Sequence, residues 1–130
     1  MNTAKRTRSE EQAATQMDSI REMVEALDTK NETEREEAEQ AIHEDALEIS
    51  IREDWHAPGE TSPDKEYLIL LCTGGPAVRI IGDLNEHNEP STSRLEHRDW
   101  GTSWTEYREA EMYSLRAVLL EYARQFYFGE

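Results

Sequence analysis

The segment Glu66–Asp83 (EYLILLCTGGPAVRIIGD) constrains the fold of this chain more than any other stretch. Tyr67–Cys72 is nearly unbroken apolar sequence, the pattern of a strand placed centrally in a sheet. Thr73-Gly74-Gly75-Pro76 supplies a turn, because its two glycines tolerate positive φ. Pro76 has no amide hydrogen, which limits pairing at the start of the next strand, Ala77–Ile81. The segment therefore reads as a β-hairpin around which the remaining chain must pack.

Little else can join it in a core. Of 130 residues, 36% are hydrophobic and 33% charged, so apolar material has to be concentrated. It lies in Leu47–Ile51, Tyr67–Ile81 and Met112–Phe128. Leu47, Ile49 and Ile51 alternate with Glu48, Ser50 and Arg52, the period of a half-buried strand. HisAlaProGly at 56–59 with Thr61, Ser62 and Pro63 marks a loop, and Glu86–Pro90 a second connection. Ser91–Arg98 has only Leu95 as a strongly apolar residue and reads as an edge strand. Asp99–Tyr107 (DWGTSWTEY) reads as irregular. A last helix is expected over Arg108–Gln125, with Met112, Leu115, Val118, Leu119, Tyr122, Ala123 and Phe126 on its buried side.

The leading third reads as two helices. Met1–Arg8, with Lys5, Arg6 and Arg8, is expected to be a loose tail. Ser9 followed by Gln12 forms a capping-box pattern for a helix over Glu10–Asp28. Ala13, Met17, Ile20, Val24 and Leu27 make one narrow apolar stripe along it. That stripe suits an intramolecular core face, and its narrowness also suits the seam of a homodimer through Met17, Ile20, Val24 and Leu27. Asn31 with Glu34 caps a second helix reaching about Ala46, whose apolar set is Ala38, Ala41, Ile42 and Ala46. The expected organisation is an α+β domain over residues 9–130: an acidic helical arm (9–46), then a four-stranded antiparallel meander and a C-terminal helix packed on it (47–130).

The net charge of −15 opposes contact with nucleic acid or anionic membranes and favours basic protein surfaces, including those that hold phosphates. The lone Cys72 excludes an internal disulfide and fits a small buried hydrophobe in a reducing compartment. The start, MNTAKRTRSEEQ, is not followed by an apolar run. A cytoplasmic location, with no signal peptide or membrane span, is the expectation.

The pieces DALEISIREDWHAPG, EYLILLCTGGPAVRIIGDL, RDWGTSWTEY and ARQFYFGE together resemble a family of small, acidic, uncharacterised proteins of proteobacterial phages, prophages and plasmids. The likeness covers roughly residues 45–130. It implies a setting, not a chemistry: accessory genes of mobile elements often encode proteins that bind and disable host machinery.

Candidate sites follow from charge and aromatic placement. Glu32, Glu34, Glu36, Glu37, Glu39, Glu44 and Asp45 crowd the second helix. Helix positions three or four apart stand about 5–6 Å from one another. Phosphates along one duplex strand lie about 6–7 Å apart, so an acidic helix can imitate a nucleic-acid backbone; a solvated helix face has the same composition. Trp55, Trp100, Trp104 and Tyr107 sit in turn-rich segments, where aromatics either complete a core or anchor a partner. Core completion is favoured, with Trp100 and Trp104 kept as candidate partner contacts. His43, His56, His87 and His97 fall in no metal-binding spacing, and no cofactor motif is present. His56 and His97 could form an acid–base site with Asp54 or Asp99, but only if the first and last strands are neighbours.

The leading expectation is thus a non-enzymatic accessory protein that inhibits or regulates a host protein through an acidic, nucleic-acid-mimicking surface, as anti-CRISPR-like and anti-restriction-like proteins do. A small enzyme using a His/Asp site near Trp55 and Trp100, and a helix-mediated homodimer, are the alternatives.

Overall fold

A computed structural model describes residues 7–53, 55–60 and 65–129. The predicted tail at residues 1–6, and Asp54, lie outside the described residues. Thr7 and Arg8 do not belong to a tail: Thr7 caps the first helix, α1 (Arg8–Ala26), its side chain accepting from the Glu10 amide at 3.1 Å. Ser9, expected as the cap, is instead 1% exposed and directed inward. Asn31 does cap α2 (Glu32–Asp45) as its spacing predicts, accepting from the Glu34 amide at 3.0 Å.

Five antiparallel strands follow in simple meander order: β1 (Glu48–Glu53), β2 (Lys65–Cys72), β3 (Ala77–Leu84), β4 (Arg94–Arg98) and β5 (Thr105–Glu106). α3 (Met112–Ala123) ends the order. The α+β class, with two leading helices, a meander and a closing helix, is the one expected, with one strand more. β5 pairs Glu106 with Glu96 and Thr105 with His97. Two residues are too few to produce a visible alternation, so the segment reads as irregular. β5 makes β4 an interior strand, and β3, not β2, becomes the middle of five.

The core lies between one face of the sheet and the helices. Tyr67, Ile69 and Leu71 of β2, Val78, Ile80 and Leu84 of β3 and Leu95 of β4 face Ala13, Met17 and Ile20 of α1 and Leu115, Leu119, Tyr122 and Ala123 of α3. Ala38 and Ile42 bring α2 against α1, and the Tyr122 hydroxyl donates to Asp45 at 2.6 Å. Met17, Ile20 and Leu27 are thus inside the chain's own core, with half-buried Val24 against it. The stripe packs within the chain, the intramolecular option.

Gly82 shows how tightly this face closes. A Cβ there would stand 2.0 Å from the Thr92 carbonyl oxygen and 2.9 Å from the Tyr67 ring. That carbonyl accepts from the Tyr67 hydroxyl at 2.7 Å, and burial pushes the phenol pKa up to about 12.

β1 departs from expectation. Leu47, Ile49 and Ile51 are 60%, 41% and 44% exposed, so this segment is not core. Their alternation is correct, and Ile49 and Ile51 pair with Ile69 and Tyr67 on the helix side. α1, however, packs over β3 and β4 and stops short of β1. α3 is shorter than predicted: Glu111 is its N-cap, accepting from the Leu115 amide at 3.0 Å, and Arg108–Ala110 lies before the helix, where the Tyr107 hydroxyl donates to Glu109 at 2.7 Å. Among the described residues no helix is long and apolar enough to cross a membrane.

Candidate functional site

The acidic residues occupy the solvent side of the helical layer. Glu32, Glu34, Glu36, Glu37 and Glu44 of α2 are exposed. Glu39 and Asp45 are not free: Glu39 is half-buried and pairs with Arg35 at 3.4 Å, and Asp45 accepts from Tyr122. The packing of Ala38 and Ile42 on α1 places Glu32 and Glu36 on one flank of α2 and Glu37 and Glu44 on the other. The carboxylates therefore wrap the helix in two rows.

α1 adds a row that the charge count alone does not single out. Glu11, Asp18, Glu22 and Glu25 are exposed at helical spacing on the side opposite Ala13, Met17 and Ile20. Their signal in the sequence is the complement of the apolar stripe. Among the described residues, Arg21 reaches Asp18 at 3.4 Å and also bonds Glu109, while no ion pair involves Glu11, Glu22, Glu25, Glu32, Glu36 or Glu37.

Arg79, Arg94 and Arg98 gather elsewhere, on the face of the sheet opposite the core. Arg79 Nε and Arg94 Nε donate to Glu96 at 2.8 and 2.9 Å. Burial opposes charge on Glu96, but these two guanidinium groups outweigh it and hold the carboxyl below its ordinary range. Arg79 and Arg98 lie over the Trp104 ring, 4.0 and 4.6 Å from its centre. Arg116 bonds Glu106 at 2.7 Å. Trp104 is thus held by the molecule's own cations. Trp55 and Trp100 do not complete a core: Trp100 is 88% exposed and Trp55 fully so, whereas Tyr107 is buried as a core residue should be. Trp100 lies against the β2–β3 turn, its Cβ 3.1 Å from where a Gly75 side chain would begin.

Of the histidines, His97 is the buried one, and Ser9 links it to a carboxylate. The Ser9 hydroxyl lies 2.9 Å from His97 Nδ1 and donates to Asp99 Oδ2 at 2.9 Å, and the Ser9 amide donates to Asp99 Oδ1 at 3.0 Å. With its hydrogen directed to Asp99, Ser9 accepts from Nδ1–H, so His97 cannot act as a base toward it. The hydroxyl is also buried. The trio ties the start of α1 to the end of β4, beside a cleft of about 410 Å³. Burial lowers the His97 pKa, against Glu10 and Asp99, and the Ser9 hydroxyl bond lowers that of Asp99.

His56 stands on the connection after β1, 3.6 Å from Glu53. β1 and β4 are separated by two strands, so His56 and His97 do not meet. His43 contacts the Gln125 carbonyl, and His87 approaches Glu86. Among the described residues no group of His, Cys, Asp and Glu could hold a metal ion. Comparison of the chain with protein-family models, curated proteins and solved structures finds no match.

Proposed function

We propose that this protein works by binding, and that its acidic helical layer docks on a basic protein surface of the kind that holds nucleic-acid phosphates. The supporting observation is the separation of charge. The outward carboxylates of α1 and α2 stand largely without ion pairs, while Arg79, Arg94 and Arg98 are engaged on the far side of the sheet and Arg116 of α3 is tied to Glu106. An anionic layer of this kind steers association toward a cationic groove and weakens with added salt. The resemblance to phage, prophage and plasmid proteins makes a host nucleic-acid-handling protein the partner, and inhibition or regulation the outcome. Trp100, exposed at the hairpin turn, is an aromatic available as a secondary anchor.

The test is a pull-down from host lysate with the wild-type chain and with a Glu32→Gln, Glu36→Gln, Glu37→Gln, Glu44→Gln variant. A nucleic-acid-binding partner should be retained at low salt, released by duplex DNA and lost with the variant. No retention at low salt, or equal retention by the variant, rejects the proposal.

A further inference from the structure

We propose that β1 is the contact through which two copies of this chain join, edge to edge, into one continuous antiparallel sheet. Sheet edges in stable monomers are shielded by brevity, proline, bulges or a covering element. The far edge, β5, is two residues long. β1 is less shielded among the described residues: it spans six residues, pairs with β2 in unbroken register, contains no proline and exposes Ile49 and Ile51, with only Tyr127–Gly129 bordering a cleft beside it.

The occupant is a second copy because β1 complements itself in charge. Two antiparallel copies related by a two-fold axis normal to the sheet through Ser50 place Glu48 opposite Arg52 of the other copy, twice. The same register places Ile49 opposite Ile51, also twice, on the other face. Only shifts by whole pleats preserve that symmetry. One such shift sets Ile49 against Glu53; the opposite shift sets Glu48 against Ser50 and Arg52 against Ala46, and both ion pairs vanish. Arg52, which bonds Glu66 on its own β2, would then lie between two carboxylates.

The arrangement puts both helical layers on one side of the joined sheet. With a net charge of −15 on each copy, repulsion opposes association at low ionic strength and is screened as salt rises. This dependence has the opposite sign to that of the acidic-layer contact proposed above, so either proposal can fail alone.

Light scattering across a salt series provides the test. The wild type should move from monomer to dimer mass as salt is added. Glu48→Arg and Arg52→Glu alone should each weaken the dimer about tenfold or more, and E48R/R52E together should restore it, with circular dichroism confirming that each variant is folded. In a Cys72→Ser background, Ser50→Cys should oxidise to a linked dimer and Ile49→Cys should not. A wild type that stays monomeric at every salt concentration overturns the proposal. So does a folded double variant that fails to recover, or cross-linking by Ile49→Cys in place of Ser50→Cys.

Discussion

The two faces of the central strands are held together by different physics. Toward the helices, Tyr67, Ile69, Val78, Ile80 and Leu95 are buried among apolar neighbours, and area removed from water stabilises the contact. Away from the helices, Arg79, Arg94 and Arg98 surround Glu96 and Trp104, with half-buried Leu68 and Leu70 beside them. There the strands are knitted by guanidinium groups. Three arginines are committed to the bare sheet face, while most outward carboxylates of α1 and α2 have no ion pair among the described residues.

That contrast can be broken at graded points. Leu119→Ala, fully buried under the helices, should destabilise the chain by about 2–5 kcal/mol, whereas Leu68→Ala on the bare face should lose about 1 kcal/mol. Urea unfolding checks both; equal losses would mean that the bare face is covered in solution. Gly82→Ala forces a methyl group against the Thr92 carbonyl and should lower stability by about 1–3 kcal/mol, read as a drop in melting temperature.

Glu96→Gln leaves Arg79 and Arg94 without their anion and should destabilise by about 2 kcal/mol. It should also flatten the acid limb of the stability curve. The folded pKa of Glu96 is depressed, so its contribution is present above the unfolded carboxylate value of about 4.3 and lost as pH falls through the folded one. An unchanged limb would remove Glu96 from that role. His97 has the same sign by another route: burial depresses its pKa, so stability declines as pH falls from about 6.5 toward the folded value. His97→Gln should abolish that decline, and an imidazole that titrates normally by NMR would contradict it. The smallest effect belongs to the helices: Glu36→Gln with Glu37→Gln should change stability by no more than about 0.5 kcal/mol, although partner binding depends on them.

Patterns of short range are legible in the residues themselves. The 3.6-residue stripe at Ala13, Met17 and Ile20, the Asn31 cap and the Gly74-Gly75 turn each carry their cause in neighbouring residues. The candidate site is half visible in the same way. Exposure of Glu32, Glu36, Glu37 and Glu44 follows from the two-residue apolar contact of α2, and the α1 row from the back of its stripe. Asp45 and Glu39 resemble their free neighbours in sequence, yet Tyr122 and Arg35 satisfy them; Tyr122 comes from a distant part of the chain. Ser9 has the pattern of a cap, but His97 and Asp99, some ninety residues on, supply its partners.

The sequence by itself determined most of the segments that become helices and strands, the two-residue β5 excepted, because backbone propensity and side-chain period act between near neighbours. It also determined the strong excess of negative charge. Tertiary structure alone decided where that charge points, that β1 lies beyond the reach of the helices, and that Trp104 rests under arginines while Trp100 does not. Those outcomes depend on which strands become neighbours and on how far a helix extends across a sheet, and such distances are set only when the whole chain closes on itself.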